Sequence, residues 1–184
     1  MGRAGEPANR RVVVVRHAKS SWDDSSVADH DRSLAPRGRK ALPRLRDHLE
    51  HLALRPGLVL CSSSRRTRET LDGIRAALGH DVSIEIDRQL YGAGAGELLD
   101  RLRRVDDELA CVLLIGHNPG MADLVALLVG DRDPAVTDAF PTAAAAVLSF
   151  PGRWQALEPA SASLESFWTP RHGDLASPTA EDGR

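Results

Sequence analysis

Five short apolar runs recur along the chain, each of a length typical of a β-strand. They cover residues 12–15, 58–60, 82–86, 111–115 and 144–150. The first and fourth runs contain no polar alternation, which is the pattern expected of strands that are covered on both faces. The run of four valines at 12–15 therefore predicts a strand near the middle of a sheet.

Apolar residues between these runs recur at helical spacing, and each set falls on one face of a helix. The four sets are Leu42, Leu45, Leu49 and Leu52; Leu71, Ile74 and Leu78; Leu98, Leu102 and Val105; and Met121, Leu124, Val125 and Leu128. Pro43 within the first set predicts a kink or a later helix start. Strands that alternate with helices predict a three-layer α/β/α fold with a largely parallel central sheet.

The length of 184 residues predicts one domain with a sizeable core. Residues 1–10 are expected to form a flexible N-terminus, and residues 11–168 the domain. Residues 169–184 contain only one large apolar residue, Leu175, and we expect a disordered tail there.

Composition and charge narrow the class of protein. The net charge of -2 gives no overall attraction to nucleic acid or to anionic membranes. Only two of the 24 basic residues are lysines, so a single arginine has meaning only through its position. Cys61 and Cys111 lack metal-ligand spacing and are expected to be buried, reduced thiols. Without a secretion signal or a membrane-length apolar segment, a cytoplasmic enzyme or binding protein is expected.

Histidines and arginines follow three of the predicted strands. Arg16 and His17 follow the first run, Arg66 lies in "SSSRRTRET" after the second, and His117 lies in "GHNPG" after the fourth. Ligands of open α/β folds bind beyond the carboxyl ends of the strands, so these side chains are expected to meet at one edge of the sheet.

This set of residue types suits phosphoryl transfer. A neutral imidazole is a nucleophile, and neighbouring cations lower its pKa and keep it neutral. Arginine forks match phosphoryl oxygens, and helix N-termini add backbone donors. A histidine that attacks phosphorus inside such a clamp would form a phosphohistidine, which water then hydrolyses. No metal or other cofactor is expected, because the arginines and the second histidine neutralise the charge.

Four motifs of the chain resemble those of the histidine phosphatase superfamily, whose first strand ends in Arg-His-Gly or Arg-His-Ala. "RHAKSSW", "DRSLAPRGR", "SSSRRTRET" and "GHNPG" occur in the family's order and at similar spacing. The resemblance covers residues 11–150 and implies a fold like that of phosphoglycerate mutase.

The same resemblance implies roles for individual residues. His17 would be the nucleophile, and Arg16 would bind the phosphoryl group. The family's second-strand pattern falls on Ser62, Arg66 and Thr70, which makes Arg66 the second phosphate arginine. His117 would be the second histidine.

Three further residues are candidate substrate contacts. Ser20 stands three residues after the nucleophile, where the family often places a hydroxyl. Arg32 matches an arginine that lies near the site in small bacterial members. Asn118 follows the second histidine and could equally shape its turn.

The expected substrate follows from a departure from the family pattern. Mutases of the family carry a glutamate three residues before a Tyr-Gly pair, as the proton donor to the leaving oxygen. Here that position is Arg88, three residues before Tyr91 and Gly92. A missing acid suits a labile bond, and it resembles the small SixA-like branch of phosphohistidine phosphatases, whose substrate is a phosphorylated histidine on a protein.

Other interpretations remain. The chain could be a small-molecule or nucleotide phosphatase of the same superfamily, or a sensor that binds a phosphate or phosphoprotein without turnover. The run "RRTR" could contact nucleic acid, but no aromatic residues interleave it, and a phosphate clamp explains it with fewer assumptions. The acidic loop with Asp23, Asp24, Asp29 and Asp31 could approach the site or be solvated, and solvation is the favoured interpretation. His30 is expected to lie on the surface.

Overall fold

A computed structural model of the chain describes residues 9–130 and 140–171, and the backbone of residues 173–176. The strands are β1 (Asn9–Arg16), β2 (Leu58–Ser62), β3 (Ser83–Asp87), β4 (Cys111–Gly116), β5 (Ala145–Pro151), β6 (Ser163–Thr169) and β7 (Gly173–Ala176). Most of the predicted flexible N-terminus lies outside the described residues.

The described strands form one sheet in the order β3-β2-β4-β1-β5-β6-β7. Strands β1 to β4 pair in parallel, and β5, β6 and β7 extend the sheet through antiparallel pairs. Because β6 is antiparallel to β5, it runs in the same direction as β1 to β4. Five strands therefore point the same way, which confirms the predicted α/β class with a largely parallel sheet. All five predicted strands are present.

The valine run of β1 is buried because β1 lies inside the sheet, between β4 and β5. Val12 and Val14 pack into one core, and Val13 and Val15 pack into the other, as the alternation of side chains along a strand requires. A strand covered on both faces has no position for a polar side chain, and this explains the unbroken run.

Four helices cover the two faces of the sheet within the described part of the chain. They are α1 (Pro36–His51), α2 (Arg65–Ile74), α3 (Ala95–Leu102) and α4 (Gly120–Val129). Leucines of α1 and α2 pack into the core that holds Val13 and Val15. Apolar side chains of α3 and α4 pack into the opposite core. These are the three predicted layers.

Two details differ from the sequence-based expectations. Helix α1 begins at Pro36, where a proline suits the first turn, and it continues through Pro43, so the predicted later start is wrong. Pro43 is exposed, which keeps its ring out of the core.

The second difference lies in the predicted tail. Residues 173–176 form β7, which pairs antiparallel with β6, whereas the sequence predicted disorder from residue 169. Strand pairing uses main-chain groups, so a segment of ordinary polar composition can join a sheet edge without an apolar pattern. The rest of the predicted tail, beyond residue 176, falls outside the described residues.

None of the helices in the described ranges is both long and apolar enough to span a bilayer.

Candidate active site

The carboxyl ends of β2, β4 and β1 lie side by side and at the same level. Arg16 pairs with Gly116, and Cys61 of β2 pairs with Ile115 of β4. The residues that follow each of these strands therefore lie at the same edge of the sheet. The structure brings His17, Arg66 and His117 into contact there.

His17 is buried, with 8% of its surface exposed, and its two ring nitrogens have different surroundings. Its backbone N–H donates to the Gly116 carbonyl at 3.1 Å. Nδ1 lies 2.7 Å from the carbonyl oxygen of Ala18, an acceptor only, so Nδ1 carries the proton and donates it. Nε2 is then the unprotonated nitrogen, and it accepts from Arg66 Nε at 3.3 Å.

The surroundings of His17 favour its neutral form. Burial, followed by the charges of Arg66 and Arg16, lowers its pKa from 6.5 to about 4, against an opposing contribution from the bond to Ala18. At neutral pH the Nε2 lone pair is therefore available for attack.

Arg66 stands in the first turn of α2, and two hydroxyl side chains, one just before the helix and one within it, hold the backbone of this turn. Ser64 is the N-cap and accepts from the backbone N–H of Thr67 at 3.4 Å. The Thr70 hydroxyl donates to the Arg66 carbonyl at 2.7 Å and accepts from the Ala18 N–H at 3.0 Å. Thr70 thus ties α2 to the residue next to His17.

The Arg66 guanidinium has an inner edge that faces the histidines and an outer edge that faces Asp29. On the inner edge, Nε donates to His17 Nε2, and Nη2 donates to His117 Nδ1, both at 3.3 Å. On the outer edge, Nη1 donates to the Asp29 carbonyl and Nη2 donates to the Asp29 carboxylate at 2.9 Å.

His117 is as buried as His17, and the centroids of the two rings are 5.1 Å apart. Because its Nδ1 accepts from Arg66, its Nε2 carries the proton and donates to the Ser62 hydroxyl at 2.8 Å. Burial, with the neighbouring His17 and Arg66, lowers the pKa of His117 from 6.5 to about 3.

Arg16 and Asn118 reach the same acceptor at the side of the site. Arg16 Nη1 donates to the Phe140 carbonyl at 2.8 Å, and Asn118 Nδ2 donates to it at 3.0 Å. Arg16 Nε and Asn118 Oδ1 are buried and have no hydrogen-bond partner among the residues that the structure describes. Asn118 therefore shapes the wall of the site, and each of these residues keeps a polar atom that a ligand could satisfy.

The two remaining predicted residues lie farther out. Ser20 forms an isolated backbone bridge with Leu34, and in the described ranges its hydroxyl has no hydrogen bond to the histidines or arginines. The Arg32 guanidinium lies over the Trp22 ring, with its Cζ 3.5 Å from the ring centroid, and its Nη1 is 3.7 Å from Asp29 Oδ1. Arg32 is thus at the rim, one carboxylate away from Arg66.

Asp29, Tyr91 and His30 belong to the site although the sequence did not identify them. Asp29 binds Arg66 rather than only water, and it also accepts from the Tyr91 hydroxyl at 2.6 Å. His30 Nε2 lies 3.0 Å from the Ser63 hydroxyl, and its ring contacts Tyr91 edge-on. Asp29 therefore reaches the site, as one of the two interpretations of the acidic loop allowed, while its side chain stays 53% exposed. His30 lies at the surface, as expected, with its side chain 34% exposed. The one available signal was that Tyr91 is the only tyrosine of the chain.

Over the described part of the chain, no three His, Cys, Asp or Glu side chains are grouped so that they could hold a metal ion.

Comparison with known proteins agrees with the site geometry. The model of the histidine phosphatase superfamily (branch 1) matches residues 12–111. An uncharacterized protein of Mycobacterium tuberculosis is 37% identical in an alignment of 163 positions that covers 85% of this chain and all of that protein. The chain belongs to the histidine phosphatase superfamily, and it is a phosphatase. The family and the enzyme class predicted from the sequence are confirmed.

Two solved structures show which members of the superfamily this chain resembles. A candidate phosphohistidine phosphatase SixA from Nakamurella multipartitia is 31% identical with a TM-score of 0.76, over 90% of this chain and 99% of that one. A candidate SixA from Agrobacterium tumefaciens is 28% identical with a TM-score of 0.77, over 88% and 98%. The structure therefore resembles the small, SixA-like members.

Proposed function

We propose that this phosphatase hydrolyses phosphohistidine on a protein, without a metal ion, through a covalent phosphoryl group on His17 Nε2. The observation that carries the proposal is the hydrogen bond from His17 Nδ1 to the Ala18 carbonyl. It fixes the ring so that the unprotonated Nε2 faces Arg66 and His117. A nucleophile, a phosphate-binding arginine and a second histidine then surround one space.

In the first step, the Nε2 lone pair attacks phosphorus while the bond from phosphorus to the leaving nitrogen breaks. The leaving imidazole keeps the bonding electron pair and takes up a proton from solvent water, so that no acidic side chain has to supply it. Arg16 and the inner edge of Arg66 bind the phosphoryl oxygens, whose charge they match. A phosphoryl dianion beside His117 favours the protonated form of that ring, so that Nδ1 can donate to an oxygen as well.

In the second step, water attacks phosphorus on the same side from which the substrate nitrogen left. The bond between phosphorus and His17 Nε2 breaks, and inorganic phosphate and neutral His17 are restored. The proton lost by the water goes to a phosphate oxygen. Arginine charges replace a metal as the counter-charge in both steps.

The choice of a phosphohistidine rests on the leaving group. Arg88, in place of the mutase glutamate, is exposed and cannot donate a proton at neutral pH. The pKa of the nearby Asp29 carboxyl lies below its usual range, because of the hydrogen bond from Tyr91 and then the charge of Arg66. Asp29 is thus ionised at neutral pH and is no acid for an alkoxide. A substrate imidazole leaves more readily, and two similar structures were described as candidate phosphohistidine phosphatases.

The test is turnover of a phosphohistidine-carrying protein and of an aryl phosphate, with and without a chelator. Wild type, His17→Ala and the control variant His80→Ala, which changes an exposed loop histidine, are compared. We expect chelator-resistant hydrolysis that prefers the phosphohistidine protein, is lost in His17→Ala and persists in His80→Ala.

The other outcomes separate the alternatives. Preference for a small ester or a nucleotide would support a small-molecule phosphatase with the same chemistry. Binding of phosphate without turnover of either substrate would indicate a sensor. Full activity of His17→Ala would exclude His17 as the nucleophile.

A further inference from the structure

We propose that Asp29 and Tyr91 form a brace that holds Arg66 in its phosphate-binding orientation, with Asp29 as a positioning residue. This inference rests on the proposed role of Arg66 in binding the phosphoryl group. Asp29 comes from the short 3-10 turn Asp29–Asp31, Tyr91 from the loop after β3, and Arg66 from α2. Three separate elements therefore meet at one guanidinium group.

The Asp29 contacts fix the plane of the guanidinium. The Asp29 carbonyl accepts from Nη1, and its carboxylate accepts from Nη2, so one residue holds both terminal nitrogens. Because the guanidinium is rigid and planar, holding these two nitrogens also sets the direction of the Nε–H and of the second hydrogen on Nη2. Those are the two donors that face His17 and His117.

The hydrogen-bond lengths differ between the two edges of the Arg66 guanidinium, and this difference indicates which edge would exchange its partners when substrate binds. The inner contacts to the histidine nitrogens are 3.3 Å long, whereas the contact from Nη2 to the Asp29 carboxylate is 2.9 Å and joins opposite charges. A phosphoryl oxygen is a stronger acceptor than a neutral imidazole, so substrate would take over the inner donors while Asp29 keeps the outer ones. Arg66 would then need no reorientation when substrate binds.

Tyr91 holds the Asp29 carboxylate in position for its ion pair with Arg66. The Asp29 side chain is 53% exposed, and a solvent-exposed ion pair alone holds its geometry weakly. The Tyr91 hydroxyl donates to the same carboxylate oxygen at 2.6 Å, and its ring packs edge-on against His117 with centroids 5.4 Å apart. The carboxylate is therefore held from two sides, by Arg66 and by a side chain that is itself packed on the second histidine.

A double-mutant cycle tests the brace. Asp29→Ala is made in wild type and in an Arg66→Ala background. Asp24→Ala serves as the matched control because, among the residues that the structure describes, that carboxylate bonds within its own loop, to Ser26. We measure kcat, KM and the affinity for orthovanadate. We expect Asp29→Ala to lower kcat/KM by about 10- to 100-fold in wild type, as misplacement of a phosphate-binding group does. In the Arg66→Ala background, Asp29→Ala should cause no further loss.

Tyr91→Phe is the second variant, because it removes one hydroxyl and leaves Asp29 and the ring packing in place. We expect a smaller loss, of a few-fold, that is likewise absent without Arg66. Equal losses with and without Arg66 would overturn the brace, because Asp29 would then act on the substrate directly. An unchanged Asp29→Ala variant would also overturn it.

Orthovanadate binding distinguishes failure of the brace from failure of the proposed function. If the wild type forms no phosphohistidine on His17 but Asp29→Ala still weakens orthovanadate binding through Arg66, the covalent mechanism fails and the brace stands. If the covalent mechanism holds and the variant binds orthovanadate as the wild type does, the brace fails alone.

Discussion

His17 and His117 are held in opposite tautomers, each by one hydrogen bond. His17 donates from Nδ1 to a backbone carbonyl, and His117 donates from Nε2 to the Ser62 hydroxyl. Both rings therefore present an unprotonated nitrogen toward the Arg66 guanidinium. In the proposed mechanism, the first ring attacks phosphorus, and the second gains a proton when a phosphoryl group arrives.

The depressed histidine pKa values predict how stability depends on pH. Burial keeps the pKa of folded His17 at about 4, whereas that of the unfolded chain is near 6.5. Between these values the unfolded state binds more protons, so the free energy of unfolding falls as the pH is lowered from 6.5 to about 4. We expect His17→Gln to reduce this fall by on the order of 1–3 kcal/mol, because glutamine does not titrate.

Urea unfolding across this pH range measures the effect, with His80→Gln as the control for an exposed histidine. Comparison with wild type removes the contribution of the carboxyl groups, which titrate in both proteins. An equally steep loss of stability in wild type and His17→Gln would show that His17 is not held neutral by the fold.

At the scale of elements, α1 supports the loop that follows His17. Gly38 packs so closely on this loop that a Cβ atom there would lie 2.2 Å from the Lys19 carbonyl oxygen. The Lys19 carbonyl also accepts from the Ala35 N–H at 2.8 Å, just before α1 begins. The loop after His17 is therefore fixed by the backbone of the helix that follows it.

Gly38→Ala is accordingly expected to destabilise the protein by about 1–3 kcal/mol, because backbone has to move, and to lower turnover by displacing His17. Gly96 in α3 is the matched control, since a Cβ there meets nothing within 4 Å. We expect Gly96→Ala to stabilise by about 0.5–1 kcal/mol with unchanged turnover. Thermal unfolding and kcat measure both variants. Equal effects of the two substitutions would contradict the packing argument for Gly38.

The elements also show which features a sequence can reveal. Strands β1 and β4 were predictable because burial on both faces forbids polar residues, and the three strand ends follow from their parallel order. Strand β7 was not predictable, because main-chain hydrogen bonds hold it at the edge of the sheet and its sequence needs no apolar pattern. Asp29 was not predictable either, because four acidic residues share its loop and only the fold decides which one reaches Arg66.

At the scale of the whole molecule, the strand order places β2, β4 and β1 next to each other although β3 separates β2 from β4 in the chain. Two hydrogen bonds then link the three strand ends. Ser62 at the end of β2 bonds His117 after β4, and Thr70 of α2, which follows β2, bonds Ala18 after β1. The site therefore depends on the assembled sheet rather than on any one segment, and its chemistry is expected to be lost in one step with the fold.

The proposed mechanism rests on the claim that the phosphoryl group passes through His17, and a rapid-quench experiment can detect this intermediate. Wild type is mixed with a phosphohistidine-carrying protein, quenched in alkali, in which phosphohistidine survives, and digested for mass spectrometry. We predict a phosphoryl group on the peptide that contains His17, formed and lost at rates that match turnover, and none in His17→Ala. Steady hydrolysis with no phosphorylated His17 at any time would contradict the claim.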